Sequence, residues 1–117
     1  MEYKFYKKEI ETTGSVYFLI ESKSSVLTRF GDSGWTINMI QEIINNVENN
    51  KTKPKGQEYI WANENLTLYS NVNGILLIDV LSQKSGIDDT EKTNLLLNHE
   101  EFIDFMENFK KFVAENS

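Results

Sequence analysis

Between Gln57 and Leu81 the chain alternates aromatic and β-branched residues with polar ones and breaks the alternation at Asn-rich turns. That pattern belongs to successive antiparallel strands, and it predicts a three-strand meander over 57–81. Everything else in the chain has to pack around it.

The turn Asn71-Val-Asn-Gly74 allows two registers. A two-residue type I′ turn at Asn73-Gly74 places Asp79 opposite Leu68, whereas a type I turn closed by a Gly74 bulge places Leu66 opposite Val80 and Leu68 opposite Ile78. The bulged register groups Leu66, Leu68, Leu76 and Ile78 on one apolar face, joined by Tyr59 and Trp61. It leaves Thr67, Tyr69, Leu77 and Asp79 on a mixed face. Register follows the hydrophobic pattern wherever one face is buried, so the bulged pairing is expected.

Of 117 residues, 39% are hydrophobic and 12% aromatic, enough for one core and too few for two. A single domain over 1–117 is expected. Twelve basic against eighteen acidic residues give a net charge of -6, the wrong sign for gripping a phosphate backbone or an anionic membrane. Neither nucleic acid nor membrane is an expected partner. An acidic surface suits a basic protein, although the same charge also keeps a small domain dissolved. The chain has no cysteine, which excludes disulfides and thiolate metal sites. The N-terminal residues lack the apolar core of a secretory signal and the longest apolar run is Ile75 to Ile78, so the expected location is the cytoplasm.

Before the meander, Glu2–Ile10 and Ser15–Glu21 read as a strand pair joined through Glu11-Thr-Thr-Gly14, and Val26–Phe30 as a short further strand. Phe30-Gly-Asp-Ser-Gly-Trp35 then breaks the strand pattern. Ile37, Ile40, Ile43, Ile44 and Val47 recur at helical spacing, which predicts a helix over about 33–49 capped by Asp32 or Ser33. The glycines before it lack the lysine and the spacing of a phosphate-binding loop, and Asp32 would repel an anion. Asn49 to Gly56, with the sole proline and three lysines, reads as a solvated loop.

Thr93–Leu97 reads as a last strand. Asn98 followed three residues later by Glu101 has the form of a capping box, and Phe102, Phe105, Met106, Phe109, Phe112 and Val113 mark one stripe of a helix over about 98–114. The expected fold is therefore α+β: an antiparallel sheet of about five to six strands with two helices, one or both of which cover its apolar face.

No catalytic constellation is visible. His99, the only histidine, has no recognisable nucleophile or substrate group with which to act as a base, and it sits in a helix's first turn beside Glu100 and Glu101. Asp88, Asp89 and Glu91 match no calcium-loop spacing. The chain is expected to bind a protein with no cofactor and no metal, and not to be an enzyme. Candidate contact residues are Trp61, Glu64, Thr67, Tyr69, Asp79, Asp88 and Asp89, since aromatic anchors set among polar residues mark interfaces.

The series Phe30-Gly-Asp-Ser-Gly-Trp35, Tyr59-x-Trp61, Leu66-x-Leu68, Gly74, Thr93-x-Leu95 and Glu100-Glu-Phe-Ile-x-Phe-x-x-Phe-Lys-Lys-Phe112 resembles small immunity proteins of bacterial contact-dependent growth inhibition and related polymorphic toxin systems. The resemblance implies a cytoplasmic inhibitor that binds a toxin's C-terminal domain one-to-one, often a nuclease, and occludes its active site. A monomer rather than a dimer is expected. The alternative from another class is a small acidic secretion chaperone that holds an effector segment. Such chaperones usually begin with a helix, whereas this chain begins with strands.

Overall fold

The computed structural model describes residues 1–117 and is an α+β fold with six strands and two long helices. Strands β1 (Lys4–Ile10) and β2 (Ser15–Glu21) form an antiparallel hairpin. A helical turn, α1 (Ser25–Thr28), and helix α2 (Ile37–Asn49) follow. The meander comes next as β3 (Tyr59–Ala62), β4 (Leu66–Asn71) and β5 (Gly74–Asp79). Short helices α3 (Val80–Lys84) and α4 (Thr90–Thr93) then lead into β6 (Asn94–Leu97) and the closing helix α5 (His99–Glu115).

The strands divide into two sheets. One is the β1–β2 pair; the other is antiparallel with the order β3-β4-β5-β6. Helices α2 and α5 pack on each other, and the larger sheet lays one face against them through β3 and β5. The hairpin is attached by aromatic rings: Phe5 lies 5.3 Å from Phe109 and 5.5 Å from Phe112, and Phe18 meets Phe112 edge-on. Between helices and sheet, Trp61 stacks on Trp35 at 5.7 Å and on Phe30 at 6.3 Å. One continuous core of buried residues joins all these layers.

Several local expectations change. Val26–Phe30 is not a strand: Val26 and Leu27 lie on a helical turn, both fully packed. Helix α2 starts at Ile37, four residues later than expected, because Thr36 is its cap and accepts the Met39 amide at 3.2 Å. Asp32 instead pairs its backbone with Phe18 on β2, at 3.0 and 3.1 Å. Gly31 permits that approach, since a Cβ there would lie 3.0 Å from Leu19 Cδ2 and 3.2 Å from the Thr28 carbonyl. The third strand of the meander stops at Asp79, and the chain turns into α3 before Leu81. The capping box at Asn98 and Glu101 is formed as the sequence indicates, with both reciprocal hydrogen bonds.

The β4–β5 register is neither of the two anticipated. The turn residues are Val72 and Asn73, so Leu66 lies opposite Asp79, Leu68 opposite Leu77 and Tyr69 opposite Leu76. Asn71 caps the turn by accepting the Asn73 amide through its side chain at 2.8 Å. Gly74 takes φ +118°, and a Cβ there would lie 2.8 Å from the Leu97 carbonyl, so β6 closes on a position only glycine can fill. The one-residue difference inverts β5: Ile75, Leu77 and Asp79 face the helices, while Leu76 and Ile78 face away.

Ser70 shares the covered face with Leu66 and Leu68, is fully buried, and its hydroxyl has no hydrogen-bond partner. A buried unpaired hydroxyl costs about 1–3 kcal/mol of desolvation. Ser70→Ala is therefore expected to raise stability by about 1 kcal/mol and Tm by roughly 4 °C. Thermal unfolding followed by circular dichroism measures this, and a lowered Tm would show that the hydroxyl is satisfied in solution.

Candidate functional surface

The larger sheet has one face against the helices and one face open. On the open face Ile60 pairs with Tyr69, Tyr69 with Leu76 and Leu76 with Leu96, so one apolar row crosses all four strands. Beside it runs Ala62, Thr67, Ile78 and Asn94. Leu96 is 77% exposed and Ile60 54%, values that no core-facing side chain of the sheet approaches. The twist of the sheet makes a shallow cavity of ≈ 410 Å³ here, floored by Tyr69, Leu76, Ile78 and Leu96. Lys55 and Glu58 stand at its mouth, with Glu58 held by the Gly56 amide. A contiguous apolar patch in a polar surround is the feature that marks a contact surface.

The lysine loop borders this surface. The Lys53 carbonyl accepts the Val72 amide at 2.8 Å, which fixes the loop to the β4–β5 turn. His99 secures the same end of the sheet, with Nε2 2.7 Å from the Asn71 carbonyl, and so joins α5 to the end of β4. That contact gives the only histidine a structural job at the surface's border.

The anticipated contact residues separate into three groups. Thr67 and Tyr69 lie on the open face, and Glu64 is exposed in the turn that follows β3. Asp88 and Asp89 are exposed at the opposite end of the sheet from the lysine loop, where Asp89 caps α4 by accepting the Glu91 amide at 3.0 Å. Trp61 and Asp79 are on the covered face, contrary to the expected open placement of Asp79. Trp61 is half-buried under Trp35 and Phe30, and Asp79 has no exposed surface at all.

Asp79 is instead the hub of a clip. Its carboxylate accepts Arg29 Nε at 3.0 Å, the Ser82 amide at 3.0 Å and the Ser82 hydroxyl at 2.7 Å, while Arg29 also donates to the Ser82 hydroxyl at 3.1 Å. Burial pushes this carboxyl upward, but the Ser82 hydroxyl and amide and then Arg29 outweigh it and hold the group below its ordinary value. Tyr59 is the other perturbed group. Its phenol is raised by burial and by the nearby Glu42, against the opposing effect of Asn46. Both perturbed groups lie on the covered side of the sheet, Asp79 fully buried and Tyr59 partly so.

The titratable residues lining the cavity are Lys55, Glu58 and Tyr69, Lys55 and Glu58 form no ion pair with each other, and nowhere do three metal-ligating side chains converge. Ile60, Leu76, Ile78 and Leu96 are the surface residues that sequence reasoning passed over. The signal for them is the uninterrupted apolar run Ile75–Ile78, repeated in Leu95-Leu-Leu97, which makes both faces of β5 and β6 apolar. No helix is long and apolar enough to cross a membrane. No protein-family model, curated protein or solved structure matches the chain.

Proposed function

We propose that this chain is an immunity protein that binds a toxin's catalytic domain one-to-one through the open face of its four-stranded sheet and blocks access to the active site. The observation that carries the reading is the uncovered row Ile60, Tyr69, Leu76 and Leu96, with no catalytic group beside it. A tyrosine flanked by aliphatic side chains on a rigid sheet offers large contact area at little entropic cost.

The partner's chemistry follows from charge. At a net -6, with Glu58 before β3 and Glu64 after it, the chain attracts a cationic domain and repels a polyanion. A nuclease domain is cationic where it grips phosphates, so an acidic inhibitor reaches it quickly and with the correct orientation. The uncovered sheet face also suits a secretion chaperone, the second reading; a chaperone would form a homodimer and hold an unfolded segment rather than a folded toxin domain.

The decisive experiment is calorimetric titration of the chain into the toxin domain encoded beside it, with toxin activity followed in parallel. Saturable one-to-one binding that silences the toxin is expected. Tyr69→Ala should weaken that binding by at least about 2 kcal/mol, roughly 30-fold, as expected for a central aromatic anchor. Affinity unchanged by Tyr69→Ala and by Leu96→Asp would remove the open face from the contact.

A further inference from the structure

The sheet's β6 border carries a second recognition feature. Strand β6 pairs only with β5, so alternate backbone amides and carbonyls of Asn94–Leu97 point outward from the sheet without a strand partner. Beside this edge lie two cavities, of ≈ 300 and ≈ 570 Å³, which share Lys23, Ser24 and Leu95 and therefore abut. Leu27 and Leu97 line the smaller one, and Val26 and Ile87 the larger. An unpaired strand edge running beside a groove that is apolar around Leu27 and Leu97 and mainly polar along the larger cavity is an arrangement that accepts an added strand.

We infer that β6 takes up an extended peptide segment of a partner protein as a fifth strand. Four residues of β6 span about 13 Å, which matches a segment of four to six residues. Alternate side chains of the added strand enter the groove beside Leu95 and Leu97, and the others extend the open apolar row beyond Leu96. The charge of the groove sets the segment's central residue. Lys23, at the junction of the two cavities, makes no ion pair; Glu2 stands at one end, Glu91 and Lys92 at the other, and Arg29 is already held by Asp79. A carboxylate therefore fits at the middle of the segment, between apolar residues. This inference stands on the β6 edge and groove and holds or fails independently of the immunity reading.

Linear dodecapeptides displayed on phage provide the probe, selected against the full chain and then synthesised for fluorescence polarisation. The selected peptides should alternate apolar residues around an acidic one. N-methylation of one alternate set of their backbone amides should weaken binding at least tenfold, with the other set indifferent, because an added strand pairs along one edge only. Selection against Lys23→Glu, a surface substitution, should replace the central acid by lysine or arginine. Three results would overturn the inference: no enrichment over the parent phage, binding indifferent to N-methylation of either set, or a central preference unmoved by Lys23→Glu.

Discussion

Arg29→Ala is expected to destabilise the fold by about 3–5 kcal/mol, the usual result of removing one partner from a buried ion pair. The asymmetry of the clip explains the size. Arg29 keeps about a third of its side chain in solvent, whereas Asp79 has none, so the variant leaves a carboxylate in the interior with only Ser82 to bond it. In urea the midpoint should fall by at least about 1 M, given slopes of about 1–3 kcal/mol per molar. The clip joins α1 to the junction of β5 and α3, so the loss spreads beyond one side chain.

The pH dependence of that difference has a definite sign. A carboxyl held below its ordinary value in the folded chain contributes stability that is complete above the ordinary value of about 3.9 and is lost as pH falls through the folded value. Arg29 favours only the charged form. The gap between wild type and Arg29→Ala should therefore be widest near pH 7 and narrow as the medium is acidified below about 4. A gap constant down to pH 3 would show that Arg29 acts by packing rather than by charge.

What could be read from the residues, and what could not, divides along a physical line. Helix α5 was legible because its apolar stripe and its capping box are local and agree with each other. The meander was legible for the same reason, since Asn63, Asn71 and Gly74 punctuate it. Register was not. It depends on which of two consecutive apolar sets meets the helices, and in Ile75–Ile78 both sets are apolar, so the pattern alone cannot choose. In the structure Asp79 lies inside, where its carboxylate is received by Ser82 and by Arg29, fifty residues earlier. The register that places Asp79 inside also sets the composition of the open face. It exchanged Leu77 and Asp79 for Leu76 and Ile78, and turned an expected mixed surface into an apolar one. Trp61 lies on the apolar side of its strand as expected, but it is half-buried under Trp35 and Phe30 against the core, which leaves Tyr69 as the aromatic anchor of the open face.

Phe105→Ala should be the most damaging single truncation in the core, at about 3–5 kcal/mol against a total of about 5–15 for a domain of this kind. Phe105 is fully buried, with ring centres 4.9 Å from Tyr3, 5.8 Å from Phe5 and 5.5 Å from Phe30. It thus touches both the hairpin and the aromatic group that leads to the larger sheet. The two parts should respond differently. A two-stranded sheet is marginal without a surface to pack on, and the β1–β2 hairpin depends on α5 for that surface. The four-stranded sheet keeps Phe102, Met106 and the Trp35–Trp61 stack. Hydrogen exchange in Phe105→Ala should therefore accelerate more at the amides of Lys4–Ile10 than at those of β4 and β5, with Phe105→Leu intermediate because it refills part of the void. Equal acceleration in both sheets would mean that hairpin and sheet open as one cooperative unit, and that Phe105 supports the whole core rather than the hairpin's attachment to it.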